Sequence, residues 1–307
     1  MRRSGVDRGS AFRFVALGAI WGSSFLFIKI ALEGLAPAQV VLGRLATGAV
    51  VLVVAVALRH GTWPRRRGAW GHLALVAVVG NVLPFFLFSW GEVRVSSALA
   101  GVLNAATPLL TMLIALVVLP EERATRLRLA GLVAGFTGVV VILAPWRAGA
   151  AAGALSGKLA CLGAAACYAV SFTYTRRFVT GRGTAPHVLA ASQIVVATAL
   201  ALVLTPVVAP DRPHLTAAVV GAVLALGCGG TGVAYLLYYR LIADVGATTA
   251  SMVTYVIPVV AVFLGVVVRD EPLTANLVVG AVMVIAAVTV AEGRLGRPLT
   301  ASAVSSP

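Results

Sequence analysis

Ala100 to Glu121 reads AGVLNAATPLLTMLIALVVLPE, and Ala250 to Glu271 reads ASMVTYVIPVVAVFLGVVVRDE. Ala100 and Ala250, Pro108 and Pro258, and Glu121 and Glu271 each stand 150 positions apart. Each copy is an apolar run of helical length with a proline inside it and an acidic residue at its close. Duplication on this scale, in so apolar a chain, points to a membrane protein built from two related halves.

Composition narrows the class further. Of 307 residues, 60% are hydrophobic and 11% charged, with a mean hydropathy of +1.00. Soluble domains carry about 25% charged residues. The net charge of +14 would suggest nucleic acid in a soluble protein. Here most of the 24 Lys and Arg sit in short gaps between apolar runs, so they read as topogenic charge and no nucleic-acid partner is expected. Cys161, Cys167 and Cys228 lie in apolar stretches without metal-ligand spacing. They read as packing residues, and neither a metal nor a cofactor is expected.

Ten spans of roughly 20 apolar residues can be cut from the chain: 12–32, 37–58, 70–92, 96–118, 126–144, 157–177, 186–207, 216–240, 247–268 and 273–292. The first runs into the second without a small-residue cleavage site, so it reads as a retained helix. The fold expected is an all-α polytopic membrane protein with ten transmembrane helices in two five-helix units, 12–144 and 156–292. Lys29 and Arg44 fall inside spans. If the chain starts inside, Arg94, Arg147, Lys158, Arg212 and Arg269 face outward, and the other seventeen basic residues face inward. That bias puts both termini in the cytoplasm.

Five crossings per unit make the two units enter the membrane from opposite faces, so the repeats are inverted. Other positions align at nearly the same offset. Trp21 to Phe25 with Lys29 answers Tyr168 to Phe172 with Arg176, Gly80 answers Gly230, and Arg44 falls opposite Gln193. Inverted repeats place a substrate site near the midplane, at their interface, and permit alternating access.

The Trp21-Gly-Ser-Ser-Phe25 segment with Lys29, Arg44 in the second span, and the paired Pro108-to-Glu121 and Pro258-to-Glu271 elements resemble the EamA family of the drug/metabolite transporter superfamily. The resemblance covers nearly all of residues 12–292. It implies a ten-helix exporter of small metabolites, commonly amino acids and their derivatives, or drug-like amphipathic compounds. It departs from the pattern at Gln193, which makes the halves chemically unequal where Arg44 stands.

Polar residues inside spans are the candidate site, because burying them is costly unless they are paired or face a cavity. Arg44 lies seven residues into the second span, about 10 Å along its axis. It reads either as an anchor for a substrate carboxylate or as a packing residue neutralised by Glu33, Glu92 or helix-end carbonyls. Lys29 lies within snorkelling reach of its helix end and four residues before Glu33. Glu92 lies near an end where exposure to water would account for it. These two are the candidates for ion coupling or gating. Trp21, Ser24, Asn81, Asn104, Tyr168, Tyr235 and Tyr255 fall near midplane depth and read as substrate-binding candidates, with Thr107, Ser171 and Thr254 beside them. Each alone also reads as a helix–helix contact.

Pro84, Pro108 and Pro258 interrupt backbone bonding at similar depths, and Gly227-Cys-Gly-Gly-Thr-Gly232 loosens another helix. No strand precedes that glycine run, so it is not a nucleotide fingerprint. Glu121 and Glu271 are expected to cap the helices that follow them.

No span holds Asp, Glu or His at its centre, which disfavours a midplane proton relay and favours a neutral or zwitterionic substrate. Nor does any His or carboxylate grouping have catalytic spacing, so no enzyme is expected. The sequence reading is an inner-membrane exporter of a small amphipathic metabolite, with the bilayer and a small-molecule substrate as partners, acting as a monomer or homodimer. The alternative is a lipid or lipid-carrier translocase.

Overall fold

Apolar runs that cannot hydrogen-bond their backbone to lipid satisfy it internally as helices. Every regular element among the described residues is a helix. The computed structural model describes residues 8–65, 67–118, 125–144, 152–179, 184–245, 250 and 252–291.

Among the described residues, eight helices are long and apolar enough to cross a membrane: α1 (Arg8–Ala31), α2 (Pro37–Leu58), α3 (Gly68–Glu92), α4 (Ser97–Val118), α5 (Arg126–Leu143), α6 (Ala154–Phe178), α7 (Pro186–Val208) and α8 (Ala217–Val245). Two shorter apolar helices follow, α9 (Val253–Arg269) and α10 (Ala275–Ala291). The span expected at 247–268 is therefore described only from Val253 apart from isolated flanking positions, since residues 246–249 and 251 lie outside the described set.

Among the described residues, three interruptions shape the bundle. Pro84 cannot donate to the carbonyl one turn back, and the turn before it widens into a π-helical segment at Val78–Val82. In α8 the glycine-rich stretch does the same without a proline, over Ala225–Val233. In α4 the regular helix stops at Asn104 and resumes at Thr107, where Pro108 follows. The break is bridged by tighter bonds from Ala105 N to Val102 O and from Ala106 N to Leu103 O. Pro258, the counterpart of Pro108, lies inside a continuous α9.

Small residues bring the helices together, as expected where lipid removes the hydrophobic drive for helix association. The pairs α1 with α9, α2 with α7 and α8, α3 with α6, α4 with α9, and α5 with α10 pack against each other. On α5 and α10, a Cβ added to Gly280 would lie 2.4 Å from Ile142 Cγ1 and 2.7 Å from Gly138 O. On α1, Gly22 approaches α9 so closely that a Cβ would meet Val260 Cβ at 2.5 Å. Many large apolar side chains face outward, among them Val117, Val133, Val207, Phe263 and Val282, each at least 60% exposed. A surface of this kind suits a lipid surround.

Both ends of the bundle carry tertiary ties. At one end Arg13 pairs with Asp244 at 2.7 Å, and His72 Nδ1 lies 2.6 Å from the Tyr174 hydroxyl. At the other, Glu33 pairs with Arg269 at 2.5 Å, and His214 N donates to Gly34 O.

Overpacking a close helix crossing costs about 1–3 kcal/mol or more. Gly280→Leu is therefore expected to lower the melting temperature in detergent by several degrees. Gly221→Ala, where an added Cβ meets nothing within 4 Å, should leave it nearly unchanged, and equal melting of both variants would refute the packing account.

Candidate functional site

The two π segments place related side chains in related positions. Asn81 Nδ2 donates to Val76 O and Thr231 Oγ1 to Leu226 O, each reaching back five residues. Both pairs are 150 positions apart. A widened turn frees a carbonyl, and in each segment a polar side chain binds one. Helix crossings repeat the pattern: a Cβ on Gly80 would meet Ser171 Oγ at 2.3 Å, and one on Gly230 would meet Ser24 Oγ at 3.0 Å.

The two halves then diverge. On the α8 side, Thr231 Oγ1 accepts from Arg44 Nε at 3.1 Å. The Arg44 guanidinium carbon lies 3.8 Å above the centre of the Phe85 ring, a cation–π contact that orients the group without neutralising it. Its terminal nitrogens donate to no acceptor among the described residues, and Arg44 retains 7% exposure. The pairing expected with Glu33, Glu92 or helix-end carbonyls is thus not what the structure shows. Glu33 is engaged with Arg269, and Arg44 points into the crossing of α2 with α8, where its neighbours are a hydroxyl and a ring.

Other candidates gather around this point. Trp21 Nε1 donates to Gly230 O at 3.2 Å, and the Tyr235 hydroxyl donates to Asn81 Oδ1 at 3.1 Å. Tyr168 and Tyr235 pack on the same apolar cluster as Phe85. An aromatic chain runs from Trp21 through Tyr238 and Tyr239 to Tyr235, and a second from Phe25 through Phe88 to Tyr168. Asn104 stands at the break of α4, where its amide oxygen accepts from Thr107 Oγ1. Tyr255 packs against the largest apolar cluster. The structure thus unites Trp21, Ser24, Arg44, Asn81, Tyr168 and Tyr235, while Asn104 and Tyr255 belong to neighbouring parts of the core.

Lys29 and Glu92 also depart from expectation. Lys29 Nζ donates to the backbone carbonyls of Glu92 and Val95 rather than to Glu33. These are carbonyls at and just beyond the C-terminus of α3, where a cation is favoured by the helix dipole. Glu92 is 0% exposed and both its oxygens lack a hydrogen-bond partner. Water does not account for it, because α6 and Lys29 cover that end of α3.

Glu271 does not cap α10. It accepts from Ser97 N, Ser97 Oγ and Ala98 N at 2.8–2.9 Å, capping α4. Asp270 in the left-handed region turns the chain back along α9, which packs on α4. Gly265 permits the approach, since a Cβ there would lie 2.5 Å from Glu271 Oε2. Glu121 lies outside the described residues, and α5 is capped by Thr125.

Thr231, Phe85 and the Glu271–Ser97 contact were not singled out from the sequence. The 150-residue offset pairing Asn81 with Thr231 was the available signal for the first. Nothing local marks the other two. A cavity of about 220 Å³ lies apart from this cluster, lined in part by Ser96, Leu99, Lys158 and Asn276. There Lys158 and Asn276 donate to the last carbonyls of α5, at Leu143 and Ile142.

Thr231→Val keeps the volume but removes the acceptor of a buried charged donor, a loss of about 1.5–3 kcal/mol. It should lower the melting temperature in detergent more than Tyr235→Phe, which removes a neutral bond. The reverse order would show that Arg44 is held elsewhere.

Known proteins place this arrangement in context. The family model described as the EamA-like transporter family matches twice, over residues 10–144 and 155–292. An uncharacterized transporter of Archaeoglobus fulgidus is 27% identical over 272 residues, 86% of this chain and 92% of that protein. Protein PagO of Salmonella typhimurium is 25% identical over 82% of each chain. A probable terminal-alkyne amino-acid exporter of Streptantibioticus cattleyicolor is 34% identical over 122 residues, 40% of each chain. A solved crystal structure with 22% identity shares the fold, with a TM-score of 0.67 over 94% of this chain and 99% of the other. With both halves matched and a multi-pass helical bundle around a buried arginine, this chain belongs to the EamA-like transporter family of membrane transporters.

Proposed function

We propose that the chain is an inner-membrane exporter of a small amphipathic metabolite bearing a carboxylate, an amino acid or a derivative of one. Transport proceeds by alternating access between two inverted five-helix units, residues 12–144 and 156–292, making ten transmembrane helices with both termini in the cytoplasm. The observation that carries this reading is Arg44. Its guanidinium is buried between two interrupted helices, held by one bond to Thr231 and by the Phe85 ring, with the fork of terminal nitrogens open. A planar fork with free donors matches a carboxylate. Trp21, Ser24, Asn81, Tyr168 and Tyr235 contribute rings and polar edges around it, with Asn104 and Tyr255 further along the same interface.

Several contacts support the topology. Arg13 and Asp244, assigned to the cytoplasmic side by charge, pair with each other. Glu33 and Arg269, assigned to the outer side, also pair. The match of the amino-acid exporter supports the substrate class, over the part of the chain that it covers.

Purified protein in proteoliposomes is expected to move a radiolabelled amino acid from a panel of neutral and aromatic ones. Arg44→Ala should reduce that flux about tenfold or more, the equivalent of one lost charge-assisted bond, and Arg44→Lys should restore part of it. Flux unchanged in Arg44→Ala would remove Arg44 from the site. Failure of the whole panel would sink the proposed substrate class.

A further inference from the structure

Glu92 ends α3 with a carboxyl group that the fold leaves without a partner. It is 0% exposed, and neither oxygen receives a hydrogen bond. A carboxylate anion in that position would lack both water and donors, at a cost of several kcal/mol. Burying the neutral acid there costs far less than burying the anion. Lys29 of α1, which reaches the same turn, is committed to the carbonyls of Glu92 and Val95. Val95 opens the two-residue approach to Ser97, where Glu271 caps α4. Lys29 and Glu271 together therefore fasten the turn between α3 and α4.

We propose that Glu92 is a proton-binding site that controls this fastening. With the proton bound, Lys29 stays on the two carbonyls and the end is closed; with the proton gone, Lys29 moves to the carboxylate and the turn is released. The exchange is physically favoured because an ammonium bonds more strongly to a carboxylate than to neutral carbonyls. One proton is taken up from the adjoining aqueous phase for each closure, and Lys29 keeps its charge throughout. Four titratable groups bear on Glu92 from the surrounding elements: Lys29 of α1, Arg44 of α2, Cys161 of α6, and Glu271 beyond α9. Only Lys29 can follow the proton with a short movement, since Arg44 is held by Thr231 and Phe85 and Glu271 is held by α4. The inference rests on the alternating-access reading, in which this end is the outer face. It adds that acid outside favours closure and that alkali favours opening.

Two measurements test it without any transported solute. In infrared difference spectra of purified protein taken across a pH titration, the wild type should show the carbonyl stretch of a buried carboxylic acid. That band should vanish in Glu92→Gln and persist, shifted, in Glu92→Asp. In a Cys167→Ala, Cys228→Ala background, Cys161 beside Gly91 serves as a buried reporter of opening. Its modification by a membrane-impermeant thiol reagent added outside should rise with pH beyond the rise due to thiol ionisation. Glu92→Gln, fixed in the neutral form, should follow thiol ionisation alone, so that the wild type gains on it about tenfold for each pH unit up to the titration of Glu92 and keeps a constant lead above it.

Lys29→Met should be modified faster than Glu92→Gln at every pH, with thiol ionisation alone setting its pH dependence. Gel filtration of each variant establishes that it is folded. An infrared band that survives in Glu92→Gln, or equal modification of wild type and Glu92→Gln at all pH values, overturns the proposal. If both measurements succeed while no amino acid moves in proteoliposomes, the proton site stands and the substrate reading fails.

Discussion

The bond from Arg44 to Thr231 depends on a constraint that governs the whole bundle: a polar group inside an apolar medium must find its partner within the protein. Widening the turn in α8 frees a carbonyl, Thr231 binds it, and the same hydroxyl oxygen then accepts from Arg44. Without the widened turn, Thr231 would not stand where the guanidinium reaches it. The equivalent turn in α3 uses Asn81 in the same way and passes its oxygen to Tyr235. Two interrupted helices thus each carry a buried polar centre at a matching position.

Near-symmetry of structure coexists with asymmetry of charge. The π segments, the Ser24–Gly230 and Ser171–Gly80 crossings, and the matched aromatics Trp21 and Tyr168 repeat from one half to the other. Their chemical content does not, because Arg44 answers to Gln193 and Phe85 answers to Tyr235. One side therefore offers a guanidinium over a ring, and the other a neutral hydroxyl–amide pair. The guanidinium thus has no charged counterpart at the matching position of the other half. The Glu92 carboxyl lies at the end of the same α3 that carries Phe85 and Asn81.

Much of the arrangement could be read before any coordinates. The duplication of the proline and glutamate elements, the apolar spans, and the match of Gly80 with Gly230 all appear as regular sequence offsets. Offsets report local environment, which repeats when a structural unit repeats. The partners of charged groups could not be read in this way. Lys29 was expected near Glu33 because four residues on a helix is a short distance, yet it binds the carbonyls of α3 instead. Glu271 was expected on the next helix and instead caps α4, 174 residues away from Ser97. In both cases a long-range packing contact offered unsatisfied backbone groups that sequence proximity does not reveal.

What the sequence determined by itself was the class of protein: apolar helices, two related halves, and an arginine where hydrocarbon would otherwise be. These follow from composition and periodicity, because solvation acts on each residue type in much the same way wherever it lies. Only the tertiary structure decided that Arg44 is held by Thr231 and Phe85 with its fork open, and that Glu92 is sealed from water without a partner. The reason is geometric. Hydrogen bonds and cation–π contacts act over a few ångströms, so they depend on which helices cross and at what depth, and crossing is a property of the whole packed bundle.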